Sequence, residues 1–272
     1  MADMLPTPTL ELKDFDGVPS WTDDALFAAC GVRIAFAGRA GGVSSGPYKS
    51  LNLCGYVDDN PADVVRNRAR VLEVLGAQGC SLFVPRQVHG THIVVVDQAC
   101  PPADERMEVV EADAVMVAAP GMIAQLSFAD CLPLILVAPN GAFAVVHAGW
   151  RGAVAGIAGK VTRALCDAAA CEAAQVSAYI GPHIRSECFE TGPEVVEQFC
   201  ASFGEGILVD ERHISIVAAV TTDLVRAGMQ AQRIADCQMC TMCNHDAYFS
   251  YRASGGVCGR NAVIAFRIDA SQ

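Results

Sequence analysis

Residues 114–150 constrain this chain more than any other stretch. They are apolar almost throughout, and the only charged side chain between Asp113 and Arg151 is Asp130. A run of that length could cross a membrane. However, Pro120, Pro133, Pro139 and several glycines cut it into pieces of about four to eight residues, too short to span and of the length of buried strands. A lone carboxylate at Asp130 and the adjacent thiol of Cys131 are costly to place in such surroundings without a task. His147 ends the last apolar piece and is followed by Ala-Gly-Trp-Arg-Gly. Two good zinc ligands, Cys131 and His147, thus stand at the ends of short hydrophobic segments, where active-site loops begin.

The chain has 272 residues, which allows one large domain or two small ones and a sizeable core. A net charge of −11 argues against nucleic acid or an anionic membrane as partner, since either needs a basic footprint. A small anionic substrate held by a few local arginines stays open. The N-terminus is acidic, with neither a basic n-region nor an apolar h-region, so a cytoplasmic protein without a signal peptide is expected. In that reducing compartment the 13 cysteines are expected to be thiols or ligands, and their odd number excludes complete internal pairing.

Residues 1–31 read as a loosely attached N-terminal segment, and residues 32–272 as one α/β domain in which strands alternate with helices. Val32 opens a strand, followed by a Gly/Ser loop from Arg39 to Pro47. That loop is either a plain turn or an anion cradle, with Arg39 as its charged member. Asn60-Pro61-Ala-Asp63 is a helix start, with Asn60 as cap and Val64, Val65, Leu72 and Leu75 inward. Residues 92–97 read as a strand and 98–112 as a surface loop. A helical stripe follows Trp150, a strand runs over 176–180, a helix over 193–203, and another starts at a Ser215 cap. The chain closes on a Cys-rich turn, an aromatic segment, a Gly-rich turn and a last strand.

Two clusters compete for a metal. His89, Cys131 and His147 make a three-ligand zinc set, which leaves a fourth position open for water, as catalytic sites do. His89 alone, between two apolar runs, could equally be a hydrogen-bonded structural residue. Cys237, Cys240 and Cys243 recur every third residue with His245 beside them, which is the stronger local spacing. A closed site there needs His245 or the distant Cys258 as its fourth member.

The segments GRAGGVSSGPYKSLNL, NPADVVRNR, RQVHG, ADAVMVAAPG, FADCLPL, VHAGWRG, YIGPHI and FSYR follow one another from about residue 32 to 266. In these the chain resembles the YfiH-like family, also called laccase-domain or multicopper polyphenol oxidase proteins. The resemblance implies a single-domain layered sandwich with mixed β-sheets. It implies zinc at His89, Cys131 and His147, and so selects the first cluster; copper follows from the older family description. It implies a purine nucleoside enzyme that cleaves adenosine, inosine, guanosine and methylthioadenosine with phosphate and deaminates adenosine. The partners expected are therefore a purine nucleoside and phosphate, with the chain a monomer or small homo-oligomer. The cysteine run is richer than the family pattern, which has one cysteine, at Cys240.

Phosphorolysis needs a held phosphate. Arg39 with Ser44 in the glycine loop, Asn67 with Arg68 on the first long helix, and Arg151 are the candidates. Deamination needs an activated water at the purine C6 and a carboxylate to move protons. Asp130 is that carboxylate, or else it holds the Cys131 turn through backbone bonds. Trp150 is core or stacks on a base. Three rival functions remain. A copper oxidase needs closely set His-x-His pairs, and the six histidines form none. A cysteine hydrolase would use Cys131 as nucleophile and His147 as base without metal. A cell-wall editing factor would bind metal without turnover.

Overall fold

The structure is a computed structural model, and it describes residues 4–96 and 109–268. The strands in chain order are β1 (Glu11–Phe15), β2 (Val18–Thr22), β3 (Val32–Ala37), β4 (Ser81–Phe83), β5 (Ile93–Val96), β6 (Ala114–Val117), β7 (Met122–Phe128), β8 (Leu132–Val137), β9 (Phe143–Ala148), β10 (Ser177–Ile180), β11 (Ile234–Asp236) and β12 (Asn261–Arg267). The helices are α1 (Asp24–Cys30), α2 (Pro61–Val74), α3 (Trp150–Val154), α4 (Ile157–Ala169), α5 (Pro193–Phe203) and α6 (Ile216–Arg226).

The strands form two mixed sheets, ordered β1-β2-β3-β12-β7-β4 and β11-β10-β8-β9-β6-β5. Neighbours are antiparallel except at the edges, where β4–β7, β5–β6 and β10–β11 run parallel. The near-continuous apolarity of residues 114–150 follows from layering. Alternate side chains of a strand point to opposite faces, and here both faces are covered. Leu132, Leu134 and Leu136 pack under α4, α5 and α6. Their neighbours Ile135 and Val137 pack against Phe36, Leu126 and Val263 of the other sheet. The outer face of that first sheet is closed by α2, through Val71 and Leu75 on Ala35, Ile123 and Ile264. The result is one layered α/β unit in the order helix, sheet, sheet, helices. Among the described residues no helix is long and apolar enough to cross a membrane.

Three expectations need correction. The N-terminal segment is not loosely attached: β1 pairs with β2, and β2 pairs with β3 in the first sheet. Asp23 ties it further, accepting from Leu26 N as the cap of α1 and from the Tyr179 hydroxyl at 3.0 Å. Val65 is 64% exposed rather than inward. The buried face of α2 is Val64, Asn67, Arg68 and Val71, at the three- and four-residue spacing of one helix side, and Val65 lies one step off it. The stripe after Trp150 is two helices, broken at Gly156, whose φ of 74° is left-handed. The loop expected over 98–112 lies outside the described residues as far as 108. Beyond it, Arg86 N donates to Val110 O and Ala112 N to Arg86 O, which fixes the chain entering β6. The caps at Asn60 and Ser215 form as expected, accepting from Ala62 N and Ala218 N.

Candidate active site

Strand register assembles the site. In the second sheet Ala114 pairs with Val146 and Pro133 with His147, so the start of β6, the start of β8 and the end of β9 meet at one edge. The parallel partner β5 brings the preceding loop to the same place, with Ile93 opposite Ala114. Asp113, fully buried one residue before β6, organises what arrives there. Its Oδ2 accepts from Gly90 N at 2.7 Å and Val88 N at 3.2 Å, and its Oδ1 from His89 N at 3.0 Å. Three successive backbone N–H groups thus close around one carboxylate, an anion nest that requires the left-handed φ of 60° at His89. The same Oδ1 accepts from His147 Nδ1 at 2.9 Å, which leaves Nε2 of that ring for the site.

His89 Nε2 lies 3.7 Å from Cys131 Sγ, and the two imidazoles meet edge-on with centroids 4.9 Å apart. One ligand atom each from His89, Cys131 and His147 falls within 4.8 Å of the others, so the three can share one metal ion. Gly149 makes that approach possible. A Cβ there would stand 2.5 Å from the His89 ring, which accounts for the glycine in the AGWRG segment.

The electrostatics suit a thiolate. Burial pushes the Cys131 thiol up, but the positive His147 beside it, with hydrogen bonds from both histidines, outweighs burial and lowers it to about 6. Burial likewise disfavours a charged His147, and the Cys131 thiolate with the Asp113 hydrogen bond raises it to about 9. Asp113 is raised by burial and lowered more by His147 and the N–H groups, so it stays ionised. Without metal the site therefore holds a thiolate and an imidazolium backed by a carboxylate. A deprotonated sulfur is what both a metal and a nucleophilic role require.

The triad opens into a cavity of about 420 Å³ whose walls include Tyr56, Gln87, Phe189, Tyr251, Arg252 and Arg260. Asp130 and Cys131 both line it. Both carboxylate oxygens of Asp130 are engaged, by the Thr241 hydroxyl at 2.6 Å and Arg252 N at 2.7 Å. Neither bond is to the Cys131 turn itself: the carboxylate joins that turn to the Thr241 loop and to the backbone at Arg252.

The expected phosphate ligands lie elsewhere. Arg39 spends Nε and Nη2 on Lys49 O and Nη1 on His245 O while stacking 4.6 Å over Phe249. Ser44 and Asn67 bind each other, and Asn67 also donates to Ser50 O and Asn52 O. Arg68 donates to Leu53 O, and the exposed Arg151 stacks on Trp150. None of the five lines the cavity. Asn67 fastens the glycine loop to α2 through Ser44 and Val43 N, because a loop with so many backbone groups needs internal partners when it is covered. The cavity's own guanidinium groups, Arg252 and Arg260, were not singled out from sequence, although both stand in or beside its named segments, FSYR and the Gly-Arg before β12. Asp113 was missed as well; its signal was a carboxylate at the mouth of a wholly buried strand.

Comparison with known proteins agrees with this architecture. The family described as multi-copper polyphenol oxidoreductase laccase matches residues 33–267. The chain belongs to this family. It is 36% identical over 231 residues to an adenosine deaminase named RL5 from an unknown prokaryotic organism, covering 81% of this chain and 88% of that protein. It is 35% identical over 231 residues to a purine nucleoside phosphorylase of Deinococcus radiodurans, covering 83% and 85%. Among solved structures, YlmD from Geobacillus stearothermophilus superposes with a TM-score of 0.85 at 27% identity, over 96% of this chain and 100% of that one. The Bacillus licheniformis hypothetical protein YfiH shares the fold at a TM-score of 0.85 and 24% identity, over 95% and 99%.

Proposed function

We propose that this chain is a zinc-dependent purine nucleoside enzyme that cleaves adenosine, inosine, guanosine and methylthioadenosine with phosphate, and also deaminates adenosine. The observation that carries the reading is the convergence of His89, Cys131 and His147 on a cavity lined also by Phe189, Tyr251, Arg252 and Arg260. The donor set fits zinc: two imidazoles and one thiolate, with Asp113 fixing the His147 tautomer behind them. Held by His89, Cys131 and His147, zinc would supply Lewis acidity to the cavity.

The chain's own residues supply the rest. Arg252 and Arg260 bind and orient a phosphate, whose oxygen forms the new bond to the sugar C1′ as the C1′–N9 bond breaks and the purine departs. Tyr251 and Phe189 offer flat faces to the base. Asp130 acts through Arg252, holding its backbone in place. The relatives named purine nucleoside phosphorylase and adenosine deaminase support both halves of the reading. Oxidised phenols suit this site less well, since among the described residues no group of candidate ligands gathers more than two histidines. Nucleoside and phosphate as substrates, with free thiols at all described cysteines, favour the cytoplasm.

One other reading has an observation of its own. Asp113, His147 and Cys131 also stand as orienter, base and nucleophile, the arrangement of a cysteine hydrolase. Chromatography of adenosine reactions with and without phosphate separates the possibilities. Adenine released only with phosphate supports phosphorolysis, and inosine supports deamination. Zinc-free protein that hydrolyses esters or amides moves the case to Cys131 as nucleophile.

A further inference from the structure

The cysteine run near the C-terminus assembles differently from its spacing. Cys240 and Cys243 come together, but Cys237 and His245 stay out, and Cys188 and Glu187 join from a loop some fifty residues earlier. Topology explains the meeting. β10 and β11 run parallel, so the loops that leave them emerge on the same side. Those loops are stitched by His183 N donating to Met239 O and Thr241 N to His183 O, both at 3.1 Å. The stitching brings Cys188 Sγ to 3.4 Å from Cys243 Sγ. One ligand atom each from Glu187, Cys188, Cys240 and Cys243 lies within 4.8 Å of the other three.

We propose that Cys188, Cys240, Cys243 and Glu187 form a second metal site, a closed four-ligand position for zinc or a similar soft divalent ion, separate from the His89–Cys131–His147 site. A tetrahedral zinc with sulfurs at about 2.3 Å sets its ligand sulfurs about 3.8 Å apart, within the spacing found here. Cys240-x-x-Cys243 sits on a turn closed by Asn244 N donating to Cys240 O at 3.1 Å. Arg185 N points at Cys240 Sγ at 3.5 Å, the backbone N–H to sulfur contact that stabilises a bound thiolate. Three thiols cannot all be used by one disulfide, and a Cys188–Cys243 bond would leave the buried Cys240 outside it. A metal uses all three. Four protein ligands leave no open position, so the ion is structural.

Its place suggests its use. The first loop carries Ile184 and Phe189 and the second leads to Tyr251 and Arg252, all four on the cavity wall. Thr241, next to Cys240, also holds Asp130. The second ion clamps the two loops that shape one side of the active-site cavity, whatever the substrate proves to be.

The test is metal stoichiometry by native mass spectrometry on purified protein, with cobalt substitution as a second readout. The wild type is expected to carry two ions per chain. Cys188→Ser/Cys243→Ser is expected to carry one, and Cys131→Ala to keep the clamp ion. In the cobalt form, three of the four thiolate ligands belong to the second site. The sulfur-to-cobalt band should therefore fall to about one quarter in the double variant. One ion per chain in the wild type that Cys131→Ala removes, or a cobalt band unchanged by the double substitution, overturns the proposal. A wild-type chain 2 Da light, with Cys188 and Cys243 joined in one peptide pair (roughly the two hydrogens lost in a disulfide), also overturns it. The wild-type count read beside that of Cys131→Ala decides the matter even if the double variant fails to fold.

Discussion

Replacing Asp113 with Asn should damage the metal site although Asp113 is not one of its three ligands. The carboxylate accepts four hydrogen bonds, from Val88 N, His89 N, Gly90 N and His147 Nδ1. An asparagine of the same shape can keep one oxygen edge, but its NH₂ then faces N–H donors on the other. If the oxygen keeps His89 N and His147 Nδ1, the bonds from Gly90 and Val88 are lost. At about 1.5–3 kcal/mol for each bond to a charged group, the loss is about 3–6 kcal/mol, and relaxation of the loop favours the lower end. For a chain of this size about 3 kcal/mol lowers the melting temperature by roughly 6–12 °C. The His147 ring also loses its anionic partner, and loss of such a partner typically weakens metal binding about 10–100-fold. The assay is zinc competition against a chromophoric chelator beside a thermal melt of the metal-free protein. Zinc affinity within about twofold of wild type, with a melting temperature within about 2 °C, would refute Asp113 as the organiser of the site.

Other predictions follow from the same geometry. Arg252→Met and Arg260→Met should each raise the KM for phosphate about tenfold or more, the effect of one charge-assisted bond, whereas Arg39→Met should leave it within about twofold; equal effects from all three would contradict the placement of the phosphate. In metal-stripped protein Cys131 should be alkylated first, its rate rising as pH passes about 6 and levelling above, because the thiolate is the reactive form; Cys237, held up at about 12 chiefly by burial, should not react below neutral pH. Zinc should protect Cys131, and peptide mapping reads both outcomes. Asp23→Ala removes the cap of α1 and the partner of the buried Tyr179 hydroxyl, at a combined cost of about 2–4 kcal/mol in urea unfolding; no loss would show that the N-terminal segment is as loosely held as its sequence suggests.

Much of the fold was legible because its signals are local. Strand pieces bounded by proline and glycine, and the caps at Asn60 and Ser215, depend on neighbours in sequence. β1 and β2 were not legible: they are short, contain Pro19 and several charges, and become strands by pairing onto β3. The same division holds at the site. The ligand triad came with the family resemblance, while Asp113 takes its meaning from His89 and His147, 24 and 34 residues away. Arg39 looked like an anion ligand because glycines surround it, yet its donors face carbonyls brought by the Lys49 and His245 segments. Cys188 gave no sign of joining Cys240 and Cys243, since only the parallel pairing of β10 and β11 brings those loops together.

The most direct test of the central claim compares wild type with Cys131→Ala for zinc per chain and for phosphate-dependent adenine release, both measured on the same preparations. The account predicts that the variant loses one zinc per chain and that adenine release falls at least about a hundredfold, as expected when a first ligand of a catalytic metal is removed. A variant that keeps both its zinc and its turnover would contradict it.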